Sequence, residues 1–129
     1  MRMNLISISL PWPPSTNELT TPIGNRKVTS KRYRIWQRTT DEAFELLGGV
    51  RGFAGACSFS LVTHPGTRRA YDLDNRLKST IDAFVRAGVI VDDDQIEKIR
   101  AEKGSLATKE ERALIDPRGW CLAGLGDLG

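Results

Sequence analysis

Asp72-Leu73-Asp74-Asn75-Arg76-Leu77-Lys78-Ser79-Thr80-Ile81-Asp82-Ala83-Phe84-Val85-Arg86-Ala87-Gly88-Val89-Ile90-Val91-Asp92-Asp93 is the stretch from which the fold can be read. Leu77, Ile81, Phe84 and Val85 fall at i, i+4, i+7 and i+8, the apolar side of a helix predicted over residues 75–87. Asp74 is placed to cap its start and Gly88 to stop it. Val89-Ile90-Val91 is a short apolar run that can bring the chain back beside its origin. Upstream, residues 56–63 read as a strand with Phe59 and Leu61 among its core positions. Downstream, residues 95–103 are ambiguous: Glu97, Lys98, Ala101 and Glu102 favour helix by propensity, while Ile96 and Ile99 fit either state.

Further out, residues 4–10 alternate Ile6, Ile8 and Leu10 with Ser7 and Ser9, the period of a strand. Pro11-Trp12-Pro13-Pro14 ends it, because proline donates nothing to a ladder. Residues 15–25 read as loop. Thr29 or Ser30 can cap a helix running to about Leu47, with Tyr33, Trp36, Thr40, Ala43 and Leu47 on one face and Phe44 beside them. Gly48-Gly49 supply its stop. Residues 112–115 read as a last strand halted by Pro117, and the glycine-rich residues 118–129 as a weakly ordered tail. Strands interleaved with helices make a small α/β domain.

A chain of 129 residues is one domain in length, and 40% hydrophobic with 27% charged residues is a globular balance. It holds no apolar run long enough to cross a membrane, and residues 1–10 lack the continuous apolar centre of a signal peptide. Cys57, Cys121 and one histidine, His64, make neither a disulfide framework nor a zinc set, so a reducing, cytoplasmic setting is expected. Net charge is only +3, yet Arg26, Lys27, Lys31, Arg32, Arg34 and Arg38 occupy a segment free of acids. Such a block allows a polyanionic partner.

The chemistry concentrates at the two ends of the central helix. If Leu73 points inward from an extended segment, Asp72 and Asp74 share the opposite side. The return through Val89–Val91 would bring Asp93, or Asp92, to the same mouth. Carboxylates that close repel unless a cation neutralises them, and hard divalent ions with oxygen ligands, Mg²⁺ or Mn²⁺, suit them. Lys78, four residues after Asp74, can hold a scissile phosphate, and Arg68 and Arg69 can grip neighbouring phosphates. Each element alone has a bland reading: Asp-x-Asp as a turn or cap, the triple aspartate as a solvated loop, Lys78 as an exposed ion pair with Asp74 or Asp82. Their joint arrangement favours metal-assisted phosphoryl transfer.

These residues resemble the RusA family of Holliday junction resolvases. The matching text is Asp72-Leu73-Asp74-Asn75, Lys78, Asp82-Ala83, Gly88, Asp92-Asp93, Gln95-Ile96 and Lys103, joined by Leu10-Pro11-Trp12-Pro13-Pro14-Ser15-x-Asn17 near the start. The resemblance implies a single α/β (α+β) domain over residues 1–129, with a mixed sheet and two main helices. It further implies a homodimeric, Mg²⁺-dependent endonuclease, Mn²⁺ being an alternative ion, that cuts four-way DNA junctions symmetrically in recombination and repair.

Carried over by position, Asp72, Asp74 and Asp93 are its metal-binding catalytic carboxylates and Lys78 its catalytic lysine. Arg68, Arg69, Lys31, Arg34 and Lys103 are expected at the DNA, supported by Asn17, Asn75 and Asp92. Ala70 and Tyr71 interrupt the family's basic run before Asp72. The family pattern also makes residues 95–103 a strand. Trp12, Tyr33 and Trp36 are candidates to stack or wedge, with core packing the expected fate of Trp36. The rival readings are a junction-binding protein without cleavage, which the complete acidic set opposes, and an aspartyl-phosphate phosphatase. The latter would place its Asp pair after a buried apolar strand, where this chain has Arg68-Arg69-Ala70-Tyr71.

Overall fold

Alternation builds the first strand, β1 (Asn4–Pro11), which buries Ile6, Ile8 and Leu10 and leaves Ser7 and Ser9 exposed. The computed structural model describes residues 4–48 and 51–128. After the proline loop come a 3₁₀ turn, Thr16–Glu18, and a hairpin of β2 (Thr20–Ile23) and β3 (Arg26–Thr29). The expected loop over residues 15–25 is thus partly strand. The hairpin is exposed on nearly every residue, so no apolar alternation marks it, and its tip is the two-residue turn Gly24-Asn25.

Helix α1 (Lys31–Leu47) starts on Ser30, whose hydroxyl accepts from the Tyr33 amide at 3.1 Å, and ends on left-handed Gly48. Gly49, read as part of the same stop, lies outside the described residues. Tyr33, Trp36, Thr40 and Phe44 are its buried face, while Leu47 is exposed. Next come β4 (Cys57–Pro65), a 3₁₀ turn Asp74–Arg76, α2 (Leu77–Arg86), a 3₁₀ turn Asp93–Gln95 and β5 (Ile96–Lys103). The strand reading of residues 95–103 holds. The chain closes with α3 (Lys109–Leu114) and β6 (Gly119–Asp127).

Two expectations fail here. Residues 112–115 are helix and its C-cap rather than strand: Thr108 accepts from the Glu111 amide while the Glu111 carboxylate accepts from the Thr108 amide, a reciprocal capping box. Within the tail read as weakly ordered, residues 119–127 form a central strand; Gly129 lies outside the described residues.

The four-stranded sheet runs β1-β6-β4-β5, with β6 antiparallel to both β1 and β4 and β5 parallel to β4. It is a mixed sheet of a small α+β domain, and β4-α2-β5 is its crossover unit. Both main helices cover one face. Phe84 of α2 meets Phe44 of α1 at 4.9 Å and Phe59 of β4 at 5.5 Å, each edge to face. This packing fixes the N-terminal end of α2 relative to the mouth of β4, where the chemistry-bearing residues lie.

Candidate active site

The segment before α2 is clamped from two directions. Below it, the proline loop docks onto the helix start: Arg76 donates to the Pro13 carbonyl at 2.8 Å, Ser79 to that of Pro14 at 3.1 Å, and Thr16 to that of Asn75 at 3.3 Å. Prolines leave their carbonyls free while pinning φ, which suits a rigid acceptor shelf. This explains why the proline text and the aspartate text occur together. From the other side, Tyr71 shares a 2.7 Å hydrogen bond with Thr63 and meets Trp12 edge to face at 5.1 Å. The Lys103 ammonium donates to the Tyr71 carbonyl at 2.7 Å and sits 4.3 Å from its ring centre. Lys103, expected at the DNA, is exposed and also holds the residue before Asp72.

Leu73 is helical, with φ −67° and ψ −43°, and Asp74 lies inside a 3₁₀ turn rather than capping it. Asp72 and Asp74 consequently do not share a strand face, because residues two apart on a helical turn diverge. Asp72 instead pairs three residues on, accepting from the Asn75 amide group at 3.3 Å. Asp74 is exposed and is followed at four-residue spacing by Lys78 and Asp82, themselves 3.4 Å apart. Lys78 thus pairs with Asp82 and stands between two carboxylate positions.

At the far end of the crossover, Asp92 caps the turn that carries Asp93, accepting from the Asp94 amide at 3.0 Å. Gln95 locks this turn by accepting from the amides of Val91 and Asp92 and donating to the carbonyls of Phe53 and Gly55. The amide of Asp94 holds the Asp92 carboxyl below its ordinary range. The Asp93 carboxyl is pushed up, first by its hydrogen bond with Asp92, then by desolvation and by the charges of Asp92, Asp82 and Asp94.

The aspartates therefore stand as Asp72 and Asp74 before α2, and Asp93 crowded by Asp82, Asp92 and Asp94. Among the described residues no three His, Cys, Asp or Glu side chains gather into a set able to hold a metal ion. In kind, the donors fit a hard divalent ion: they are all carboxylate oxygens, and Asp93 carries repulsion that a cation would relieve.

A raised carboxylate pKa favours the protonated form in the fold, so that contribution to stability is present below the ordinary aspartate value and is lost as pH rises through the raised one. Asp93→Asn is accordingly expected to raise the thermal midpoint of the metal-free protein at neutral pH. It should leave the midpoint unchanged below the ordinary carboxylate range. Melts from about pH 3 to about pH 8 check this, and a lower midpoint at neutral pH would reveal a stabilising partner instead.

The basic residues divide. Arg68 and Arg69 are exposed on the loop leaving β4, and Lys31 and Arg34 are exposed on the first turn of α1. Asn17 is exposed on the 3₁₀ turn beside Thr16. Trp36 is buried and donates to the Pro11 carbonyl at 3.1 Å; Tyr33, stacked on it, and Trp12 are buried too, so none of the three stands free as a wedge. His64 stacks on Trp120, and burial pushes the Cys121 thiol up to about 12, which removes that cysteine from nucleophilic roles.

Residues absent from the sequence reading also converge here. Buried Asp116 accepts from the Trp12 amide at 3.2 Å and from the Arg118 guanidinium. Its partner amide is 104 residues away, so no local pattern could announce it.

A family model described as Endodeoxyribonuclease RusA matches residues 11–115, taking in the proline loop, both aspartate groups and Lys78. The chain belongs to this family. Among its RusA relatives, the Crossover junction endodeoxyribonuclease of Escherichia coli (strain K12) is 32% identical over 101 residues, 78% of this chain and 84% of the relative. That of Enterobacteria phage 82 is 32% identical over 104 residues with the same coverage, and that of Shigella sonnei (strain Ss046) is 32% identical over 101 residues.

Proposed function

We propose that this chain is a divalent-metal-dependent endodeoxyribonuclease that resolves four-way Holliday junctions by paired, symmetric nicks in DNA recombination and repair, leaving 5′-phosphate ends. The observation that carries the reading is the helix line Asp74, Lys78, Asp82, in which Lys78 pairs with Asp82 and the Asp82 charge adds to that of Asp92 and Asp94 on Asp93. Asp72, Asp74 and Asp93 are the residues to hold the ion, Mg²⁺ with Mn²⁺ as a substitute. When bound, the ion supplies Lewis-acid polarisation of the scissile phosphate and a more acidic attacking water. Lys78 neutralises charge that develops on the phosphate oxygens. Asn75 orients Asp72, Asp92 holds the turn under Asp93, and Lys103 with Tyr71 fixes the backbone entering the site.

Arg68, Arg69, Lys31 and Arg34 bind backbone phosphates, with Asn17 beside the strand path. Such contacts position the DNA without reading its sequence, so junction choice rests on shape. Two symmetric nicks require two sites in twofold relation, which a homodimer provides. No helix among the described residues is long and apolar enough to cross a membrane, and the two free, buried cysteines suit a reducing cytoplasm.

Incubating the purified chain with a synthetic four-way junction and Mg²⁺ tests the reading: paired nicks of opposite strands support it, and binding without nicks at any divalent ion overturns it. Arg69→Ala is expected to weaken junction binding and flatten the log–log salt dependence by about one unit, read by anisotropy across a salt series. An unchanged slope would remove Arg69 from the phosphate contacts.

A further inference from the structure

Immediately upstream of Asp72 the molecule has a cavity of about 440 Å³, of whose arginines the proposed chemistry uses Arg69 alone. Trp12 and Tyr71 give it an apolar wall, and Arg32, Arg69, Arg76 and Arg118 surround them. A cavity of this size lies in the range of small-ligand sites and has room for one nucleotide unit. Its charge is unbalanced. Glu18 is shared between Arg32 and Arg76, the latter contact at 3.5 Å, and Asp116 serves Arg118 at 3.2 Å. Two carboxylates thus pair with three of the four guanidiniums, and Asp72 beside the cavity adds its charge to Arg76, so three carboxylates stand against four guanidiniums.

Arg76 shows the imbalance most plainly. Its side chain is only 12% exposed. Its guanidinium lies 5.1 Å from the Trp12 ring centre, and its buried Nε has no hydrogen-bond partner. A buried donor without an acceptor costs stability, and a desolvated arginine without full counter-charge costs more. Arg32 carries the same mark: burial, then the charges of Arg118 and Arg76, hold its guanidinium below its ordinary range.

We propose that this cavity is a phosphate subsite that takes one backbone phosphate of the DNA strand next to the cut, with Arg32, Arg76 and Arg118 on its oxygens and the deoxyribose against Trp12 and Tyr71. The proposal rests on the nuclease reading for the identity of the strand. The chemistry is that of the guanidinium fork, which matches phosphate oxygens in pairs and strengthens as water leaves. Position follows from chain continuity: Arg76 closes the 3₁₀ turn that Asp74 opens, and Tyr71 adjoins Asp72. Because the cavity residues adjoin Asp72 and Asp74 in the chain, the phosphate it takes is one close to the scissile linkage. Such a grip would fix the strand lengthwise, which Arg68 and Arg69 on an exposed loop do less rigidly.

The test uses junctions in which single linkages around the cut are made neutral methylphosphonates, with binding measured in Ca²⁺. For the wild-type protein, one linkage within about two nucleotides of the cut should weaken binding about tenfold. In Arg32→Gln, and independently in Arg118→Gln, the same linkage should cost less than about twofold while other linkages keep their cost. Arg51→Gln, on an exposed residue remote from the cavity, should behave as wild type. An undiminished loss at that linkage in both variants overturns the proposal.

Titration with inorganic phosphate, read on the arginine side-chain NMR signals, separates this from failure of the nuclease reading. If the chain neither binds nor nicks junctions, saturable shifts at Arg32 and Arg76 still support the cavity as a phosphate site, and their absence overturns it. A 5′-phosphorylated dinucleotide that moves these signals at lower concentration than inorganic phosphate would assign the cavity to the product's new end rather than to an internal phosphate.

Discussion

Asp74→Asn is expected to lower cleavage of a four-way junction in Mg²⁺ by at least about 10³-fold while the protein still folds and still binds the junction. The size follows from the role. An ion that polarises the scissile phosphate supplies several kcal/mol of transition-state stabilisation, and each 1.4 kcal/mol or so is tenfold in rate. Removing one charged ligand forfeits most of that. Folding should be untouched, because the Asp74 side chain is exposed and the turn uses only its backbone, whose carbonyl accepts from the Leu77 amide. Binding should hold or tighten, since a negative charge facing DNA is lost. Single-turnover cleavage beside anisotropy in Ca²⁺ separates the two effects. Asp94→Asn is the control of equal charge change; its carboxyl lies in the acidic group around Asp93 but holds no ligand role, and cleavage should survive. Retained Mg²⁺-dependent cleavage by Asp74→Asn would remove that residue from the metal site.

The parts of this fold that were legible in the sequence are those with a periodic apolar face. Ile6, Ile8 and Leu10 announced β1, Tyr33, Trp36 and Thr40 announced α1, and Ser30 and Gly48 marked its ends by their capping chemistry. The four-residue step from Asp74 to Lys78 was equally readable. The relation of Asp72 to Asp74 was not, because it depends on whether Leu73 is extended or helical, and one dihedral decides it. The text from Ile96 to Lys103 carries helix formers, yet parallel pairing with β4 makes it a strand, an instance of tertiary context overriding propensity. Lys103 was readable as a cation but not as a clamp, since Tyr71 reaches it only through the fold. For α3 the signal is present: Thr108-Lys109-Glu110-Glu111 spells a capping box, although the aliphatic run after it fits a strand as well.

Ending the chain at Pro117 is expected to leave no cooperatively folding protein, although residues 118–129 read from the sequence as a weakly ordered tail. Strand β6 lies between β1 and β4 and pairs with both, so its loss exposes two rows of backbone donors and acceptors at the middle of the sheet. It also removes Cys121, Ala123 and Leu125, none more than 1% exposed, from the core beneath α1 and α2. Burying one large aliphatic side chain stabilises by about 1.5–3 kcal/mol, and the whole domain has only about 5–15 kcal/mol in hand. The strand is not legible in the sequence because Gly124 and Gly126 alternate with the core residues Ala123 and Leu125. Gly119 adopts φ 126° with its Cβ position 2.4 Å from the His64 carbonyl, and a Cβ on Gly124 would stand 3.2 Å from the Ile6 carbonyl and the Ser60 hydroxyl. Small residues here are what close approach to neighbouring chain requires, and they lower the very β-propensity by which a strand is recognised. Urea unfolding followed by near-ultraviolet circular dichroism checks the outcome, with Leu125→Ala as the graded case at about 2–5 kcal/mol. A truncated chain that unfolds cooperatively at the full-length midpoint would mean that β1 and β4 hold their places without the strand between them, which the pairing makes physically untenable.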